Sequence, residues 1–135
     1  SKSLGNLVLA RDLLRTWPPN AIRLALANHH YREEWDWEQA ELGKMVEWSG
    51  LLQQSLDRPV RGTERSAISV DLMRGRIREA LDDDLNTPRA VQALVALATA
   101  IRDSPTRADV REAQQALHEC ARLFGLRLTP EEDGR

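Results

Sequence analysis

The sequence predicts an all-α fold, an antiparallel helix bundle with a small N-terminal appendage made of a loop and short helices. Three observations carry this. The chain is rich in Ala, Leu, Arg and Glu, residues that lose little side-chain freedom in a helix. Apolar residues recur at three- and four-residue spacing through several long segments. No stretch shows the period-two alternation of a half-buried strand. Long helices with one apolar face each can bury those faces only against one another, which makes a bundle.

Taken in order, residues 7–16 predict a short helix that Trp17-Pro18-Pro19 ends. Pro19 suits the first turn of the next helix, about Asn20 to Asn28, because its missing N–H would be unpaired there anyway. Asp36 followed by Gln39 reads as an N-cap with its capping-box partner. The helix it opens spans about 37–56, with Met45, Trp48, Leu52 and Leu56 on one face. Residues 57–66 are polar, contain Pro59 and Gly62, and predict a mobile loop. A helix from about Ile68 to Asp83 places Val70, Met73, Ile77 and Leu81 on its buried stripe. Thr87 as N-cap with Pro88 behind it opens another, to about Arg102, with Val91, Leu94, Val95, Ala98 and Ile101 inside. Thr106 with Asp109 resembles a weaker capping box for a last helix, about 107–124, which buries Val110, Ala113, Leu117, Cys120, Ala121 and Phe124. Gly125 suits a left-handed C-cap. The expected organisation is 1–35 for the loop and connecting helices, 36–128 for the bundle and 129–135 for a frayed tail.

Bulk properties narrow the function. The chain has 135 residues, 41% hydrophobic and 30% charged, which fits one ordinary soluble domain. A net charge of −2 gives no global signature for nucleic acid. The distribution is uneven, however. Residues 1–32 hold Lys2, Arg11, Arg15, Arg23 and Arg32 against Asp12 alone, a net of +4, which leaves −6 on the remainder. A basic N-terminal part suits an anionic ligand, and chance asymmetry of solvated faces accounts for it equally well. One cysteine excludes an internal disulfide. No apolar run approaches the roughly 20 residues that span a bilayer, and there is no signal-peptide pattern. A cytoplasmic monomer with no membrane partner is the expectation.

Chemistry concentrates in Ser1-Lys2-Ser3-Leu4-Gly5-Asn6. A lysine between two serines and next to a glycine presents one ammonium and several small donors on a loop able to close over phosphates. A frayed terminus would have the same composition. Other candidates have plainer readings beside them. His29 and His30 are adjacent, so their side chains diverge, and with Cys120 and His118 the only other soft ligands no metal site is expected. Asp82, Asp83 and Asp84 suggest a metal, but acids ahead of a helix N-terminus complement its dipole. Trp35 and Trp37 either stack on a base or staple two elements together. Tyr31 and Arg32 either pack the appendage or touch RNA backbone. Arg58, Arg61 and Arg65 either meet phosphates or decorate a solvated loop.

Four separated patterns then agree in order. Ser1-Lys2-Ser3-Leu4-Gly5-Asn6 resembles the end of the Lys-Met-Ser-Lys-Ser signature of class I aminoacyl-tRNA synthetases, with the Leu-Gly-Asn extension of the cysteine branch. Asn20-Ala21-Ile22-Arg23-Leu24-Ala25-Leu26 is similar to the helix after that loop in cysteinyl-tRNA synthetases. His30-Tyr31-Arg32 resembles their His-Tyr-Arg turn, and Ala80-Leu81-Asp82-Asp83-Asp84-Leu85-Asn86-Thr87-Pro88-Arg89-Ala90 resembles a segment of their helical domain. The resemblance implies a C-terminal piece, from the signature loop onward, of an enzyme that makes cysteinyl-adenylate from cysteine and ATP and transfers the cysteine to tRNA-Cys. It implies Lys2 as the catalytic, phosphate-binding residue, with Ser1 and Ser3 beside it on ATP. Arg23, Tyr31, Arg32, Arg58 and Arg61 become candidate tRNA contacts. ATP with Mg would serve the parent enzyme. Its zinc would lie in the parent catalytic domain, and none is expected here. On this reading the piece alone docks or supports and is not catalytic. A related cysteine ligase of mycothiol biosynthesis, which acylates an amino-sugar inositol, is the alternative, favoured by Tyr31-Arg32-Glu33-Glu34-Trp35-Asp36-Trp37, similar to its Trp-rich turn. A freestanding helical interaction module is a third reading.

Overall fold

The computed structural model describes residues 17–28, 39–83 and 87–128. Among them lie five helices, α1 (Pro19–Ala27), α2 (Gln39–Asp57), α3 (Val70–Asp82), α4 (Thr87–Asp103) and α5 (Arg111–Arg122). Two short strands, β1 (Glu64–Arg65) and β2 (Ala108–Asp109), complete the set. The all-α bundle predicted from composition and periodicity is the observed architecture. The expected helix at 7–16, the Asp36–Gln39 capping box, the pairs at 29–32 and the tail beyond 128 fall outside the described residues.

α4 is the hub and packs against each of the other four helices. Its sequence explains why. Ala90, Val91, Leu94, Leu97, Ala98 and Ile101 are all fully buried, a stripe wide enough to meet neighbours on more than one side. Ala98 lets α2 come close, and the buried Ser55 fills the contact. Its Oγ–H is shared between the carbonyls of Leu51 and Ala98, both at 2.8 Å. The predicted α2 face holds at Met45, Leu52 and Leu56, all buried, with Trp48 half-buried beside Lys44, whose ammonium sits 4.7 Å from the ring centre. On α3, Val70 and Ile77 are buried as expected. Ala80 takes the innermost place, while Met73 and Leu81 lie partly covered at the edge. α1 contributes Ala21, Ile22, Leu24 and Ala25 to the same core.

The structure corrects two expectations. Residues 57–66 are not a loose loop. Arg58 donates to the carbonyl oxygens of Ile101 and, at 2.7 Å, of Pro105. β1 pairs in parallel with β2, Glu64 opposite Ala108 and Arg65 opposite Asp109, and the Glu64 N–H reaches the Arg107 carbonyl at 2.9 Å. The α2–α3 and α4–α5 connections therefore run side by side as a minimal sheet. Two residues per strand are too few to leave an alternating pattern in the sequence. The same pairing displaces the start of the last helix. Thr106 is not its cap. Ala108 and Asp109 are held in the strand pair, so α5 begins at Arg111, after Val110. Asp109 substitutes by accepting the Arg111 N–H at 3.1 Å.

Helix α5 ends as the sequence predicts. Gly125 has φ of 75°, a left-handed conformation costly for other residues. The Gly125 N–H bonds the Arg122 carbonyl at 3.0 Å, and the Leu126 N–H bonds the Ala121 carbonyl at 3.2 Å. These two bonds form a Schellman motif. The chain then turns back, burying Leu126 and Leu128 and leaving Arg127 exposed between them.

Candidate functional site

Four arginines singled out in the sequence, Arg23, Arg58, Arg61 and Arg65, lie among the described residues. They occupy two regions that do not share a groove. Ser1, Lys2, Ser3, Tyr31 and Arg32 fall outside the described set.

Arg58 and Arg61 belong to the connection after α2. Arg58 is half-buried, and its guanidinium sits at the C-terminal end of α4, where unpaired carbonyls and the helix dipole favour a cation. Gln114 of α5 does the reciprocal service for α2, donating from Nε2 to the carbonyls of Ser55 at 2.9 Å and Arg58 at 2.8 Å. Arg61 is exposed. The adjacent Gly62 packs so tightly on the Arg107 backbone that a Cβ there would lie 2.0 Å from the Arg107 carbonyl carbon. Arg65, the third member of the basic cluster, is exposed in β1.

Arg23 is on α1, half-buried, and its guanidinium donates to Asn20 Oδ1 at 3.2 Å. That same Oδ1 accepts the Arg127 N–H at 3.0 Å, while Asn20 Nδ2 donates to the Arg127 carbonyl at 3.2 Å. Asn20 thus treats Arg127 as a neighbouring strand would. It fastens the segment after α5 to the start of α1. Arg23 and Arg127 both line an open groove of about 400 Å³ with Pro18, Asn20, Ser49 and Gln53. Sequence reading named Arg23 but missed Arg127. The alternation Leu126-Arg127-Leu128 behind Gly125 was the available signal.

Two further described groups, Cys120 and Asp109, fit plainer roles. Cys120 is buried on α5, and burial pushes its thiol above the ordinary value, as befits a core residue. Asp109 is held well down, to about 2, by the Arg111 guanidinium and backbone N–H that its carboxylate accepts. Among the described residues no group of three or more His, Cys, Asp or Glu is placed to hold a metal ion. None of the described helices is long and apolar enough to cross a membrane.

Comparison with known proteins bears on this arrangement at both ends. Residues 1–47 match the family described as the class I (C) tRNA synthetase catalytic domain, and residues 76–129 match the DALR domain. A cysteine–tRNA ligase of Desulforudis audaxviator is 33% identical across 100% of this chain and 32% of its own length. One from Phenylobacterium zucineum is 36% identical over 93% of this chain and 27% of its own length. One from Xylella fastidiosa is 39% identical over 76% and 21%.

The chain belongs to the cysteinyl-tRNA synthetase family.

It spans about a third or less of the length of these curated relatives. The first family match runs from Ser1 through α1 into α2. The second runs from within α3 through the Schellman turn. The Asn20–Arg127 clamp therefore joins a residue of the catalytic-domain match to one of the DALR match.

Proposed function

We propose that the whole protein is a cysteine–tRNA ligase, which activates cysteine with ATP and transfers it to tRNA-Cys. The agreement of the signature loop at Ser1-Lys2-Ser3 with a catalytic-domain match over residues 1–47, followed by a DALR match, carries this reading. Lys2 is the residue assigned to the reaction. Its ammonium would bind the ATP phosphates and stabilise the negative charge that gathers on pyrophosphate as the adenylate forms. Ser1 and Ser3 would donate to the same phosphates. Magnesium would accompany the nucleotide, and zinc would belong to parts of the catalytic domain beyond these residues.

On this reading residues 1–35 extend the catalytic unit, 36–128 form the bundle on which tRNA rests and 129–135 are a tail. Arg23, Tyr31, Arg32 and Arg61 would contact the tRNA backbone. Arg58 would act mainly through its field, because its donors are already engaged by carbonyls while its charge remains. A cytoplasmic monomer is the proposed state.

The test uses the full-length enzyme. Lys2→Ala should slow cysteine-dependent ATP–pyrophosphate exchange by about 2–4 kcal/mol of transition-state stabilisation, with a smaller effect on cysteine affinity. An unchanged exchange rate removes the role. Cysteine transfer to an amino-sugar inositol, with none to tRNA-Cys, would instead identify the mycothiol-type ligase.

A further inference from the structure

The groove between α1, α2 and the segment after α5 differs in its charge pairing from several other parts of the surface. A number of arginines elsewhere are matched by acids. Arg74 meets Glu119 at 3.0 Å, Arg102 meets Asp103 at 2.9 Å, Arg107 meets Glu64 at 3.0 Å and Arg111 meets Asp109 at 2.8 Å. In this groove no acidic side chain is among the described lining residues. Arg23 has a neutral amide for its partner, and Arg127 has no carboxylate partner among the described residues. Two cationic side chains with no described acid beside them at one groove repel each other, and Asn20 bonds the guanidinium of Arg23 and the main chain of Arg127. A bound anion would offset that repulsion.

A second observation specifies the anion. Ser49 also lines the groove, and its hydroxyl proton is committed to the Val46 carbonyl at 3.1 Å. What its oxygen can still offer is a lone pair. The oxygens of a phosphodiester are acceptors only and have nothing to donate to it. A ribose 2′-hydroxyl does, and one lies a few ångströms from every phosphodiester of RNA. Pro18 and Pro19 supply apolar wall against which a sugar can lie.

We infer that this groove is a subsite for one RNA phosphodiester and its neighbouring ribose, with Arg23 and Arg127 on the phosphate and Ser49 accepting from the 2′-hydroxyl. Asn20 is the positioning residue, holding the Arg23 guanidinium directly and Arg127 through its main chain. The inference rests on the proposal that the protein acts on tRNA, and it adds Arg127, Ser49 and Asn20 to that interface.

The experiment measures binding of tRNA-Cys transcript to the full-length protein as a function of salt, alongside aminoacylation by the wild type. Arg127→Gln should lower the slope of log affinity against log salt by about one, so the loss of binding between roughly 50 and 200 mM salt shrinks about fourfold. Arg127→Lys, which keeps the charge, should keep most of the slope. In 2′-deoxy interference mapping, Ser49→Ala should erase the penalty at one nucleotide position. A wild type that charges tRNA-Cys with an unchanged slope in Arg127→Gln overturns the subsite alone. A wild type that charges no tRNA overturns the tRNA reading and the subsite with it. An interference pattern identical in Ser49→Ala removes the 2′-hydroxyl contact.

Discussion

The two junctions that tie the bundle together use arginine in opposite ways. At the crossing of the α2–α3 and α4–α5 connections, Arg58 is turned inward on the carbonyls of Ile101 and Pro105, and Gln114 returns the favour at the end of α2. The donors of Arg58 and Gln114 there face carbonyls of the same chain. At the junction of α1 with residues 126–128, one neutral side chain, Asn20, does the fastening, and the two arginines it organises point to an open groove. The same residue type is structural where helix-end carbonyls need a cation and available to a ligand where an amide has taken over the structural task. Position along the sequence does not distinguish the two cases. What each guanidinium is bonded to does.

The contrast can be broken from the inward side first. Gly62→Ala should be the largest effect, because the new Cβ meets Arg107 backbone, which cannot rotate away as a side chain would. We expect about 3 kcal/mol or more of lost stability, read as a fall in urea midpoint. Arg58→Ala comes next, at about 2 kcal/mol, since it leaves the Ile101 carbonyl at a helix end without its charged donor. Asn20→Ala should cost about 1 kcal/mol, the usual net worth of partly solvated hydrogen bonds. An equal or larger loss than for Arg58→Ala would invert the comparison.

The smallest effect is a pH dependence. Asp109 is lowered to about 2 in the folded chain by Arg111, against about 3.9 when unfolded. A depressed carboxylate stabilises the fold fully above the unfolded value. That contribution is lost as pH falls from about 4 toward 2. Asp109→Asn should therefore flatten the acid limb of a thermal-stability profile slightly and leave it unaltered near neutrality, once both proteins are referred to their own neutral values. An unaltered acid limb would show that the exposed pair with Arg111 contributes nothing.

Much of the bundle was legible in the sequence because its signals are local. The stripes at Val91, Leu94, Ala98 and Ile101, and at Ala113, Leu117 and Cys120, follow from a 3.6-residue period, and Gly125 from the need for positive φ. The connection at 57–66 was misread because what fixes it lies far along the chain. Arg58 reaches Ile101 across 43 residues, and Gln114 reaches Ser55 across 59. A polar segment with Pro and Gly looks the same whether its donors face water or helix-end carbonyls. Thr106 failed as a cap for a related reason, since a local motif yielded to a strand pair formed with residues 64–65. The groove was half legible. Arg23 sits in a recognisable segment, while Arg127 gains meaning only from the distant Asn20.

That clamp also sets an order of events in the life of the chain. Asn20 and Arg127 are 107 residues apart. During synthesis at roughly 5–20 residues per second, Arg127 emerges on the order of 5–20 s after Asn20. Until then α1 lacks one of its fastenings, whatever the progress of the helices between. A contact of such long sequence separation closes late in folding, so weakening it should hasten unfolding more than it slows folding. The start of α1 is thus secured only by a chain that has been made through its Schellman turn.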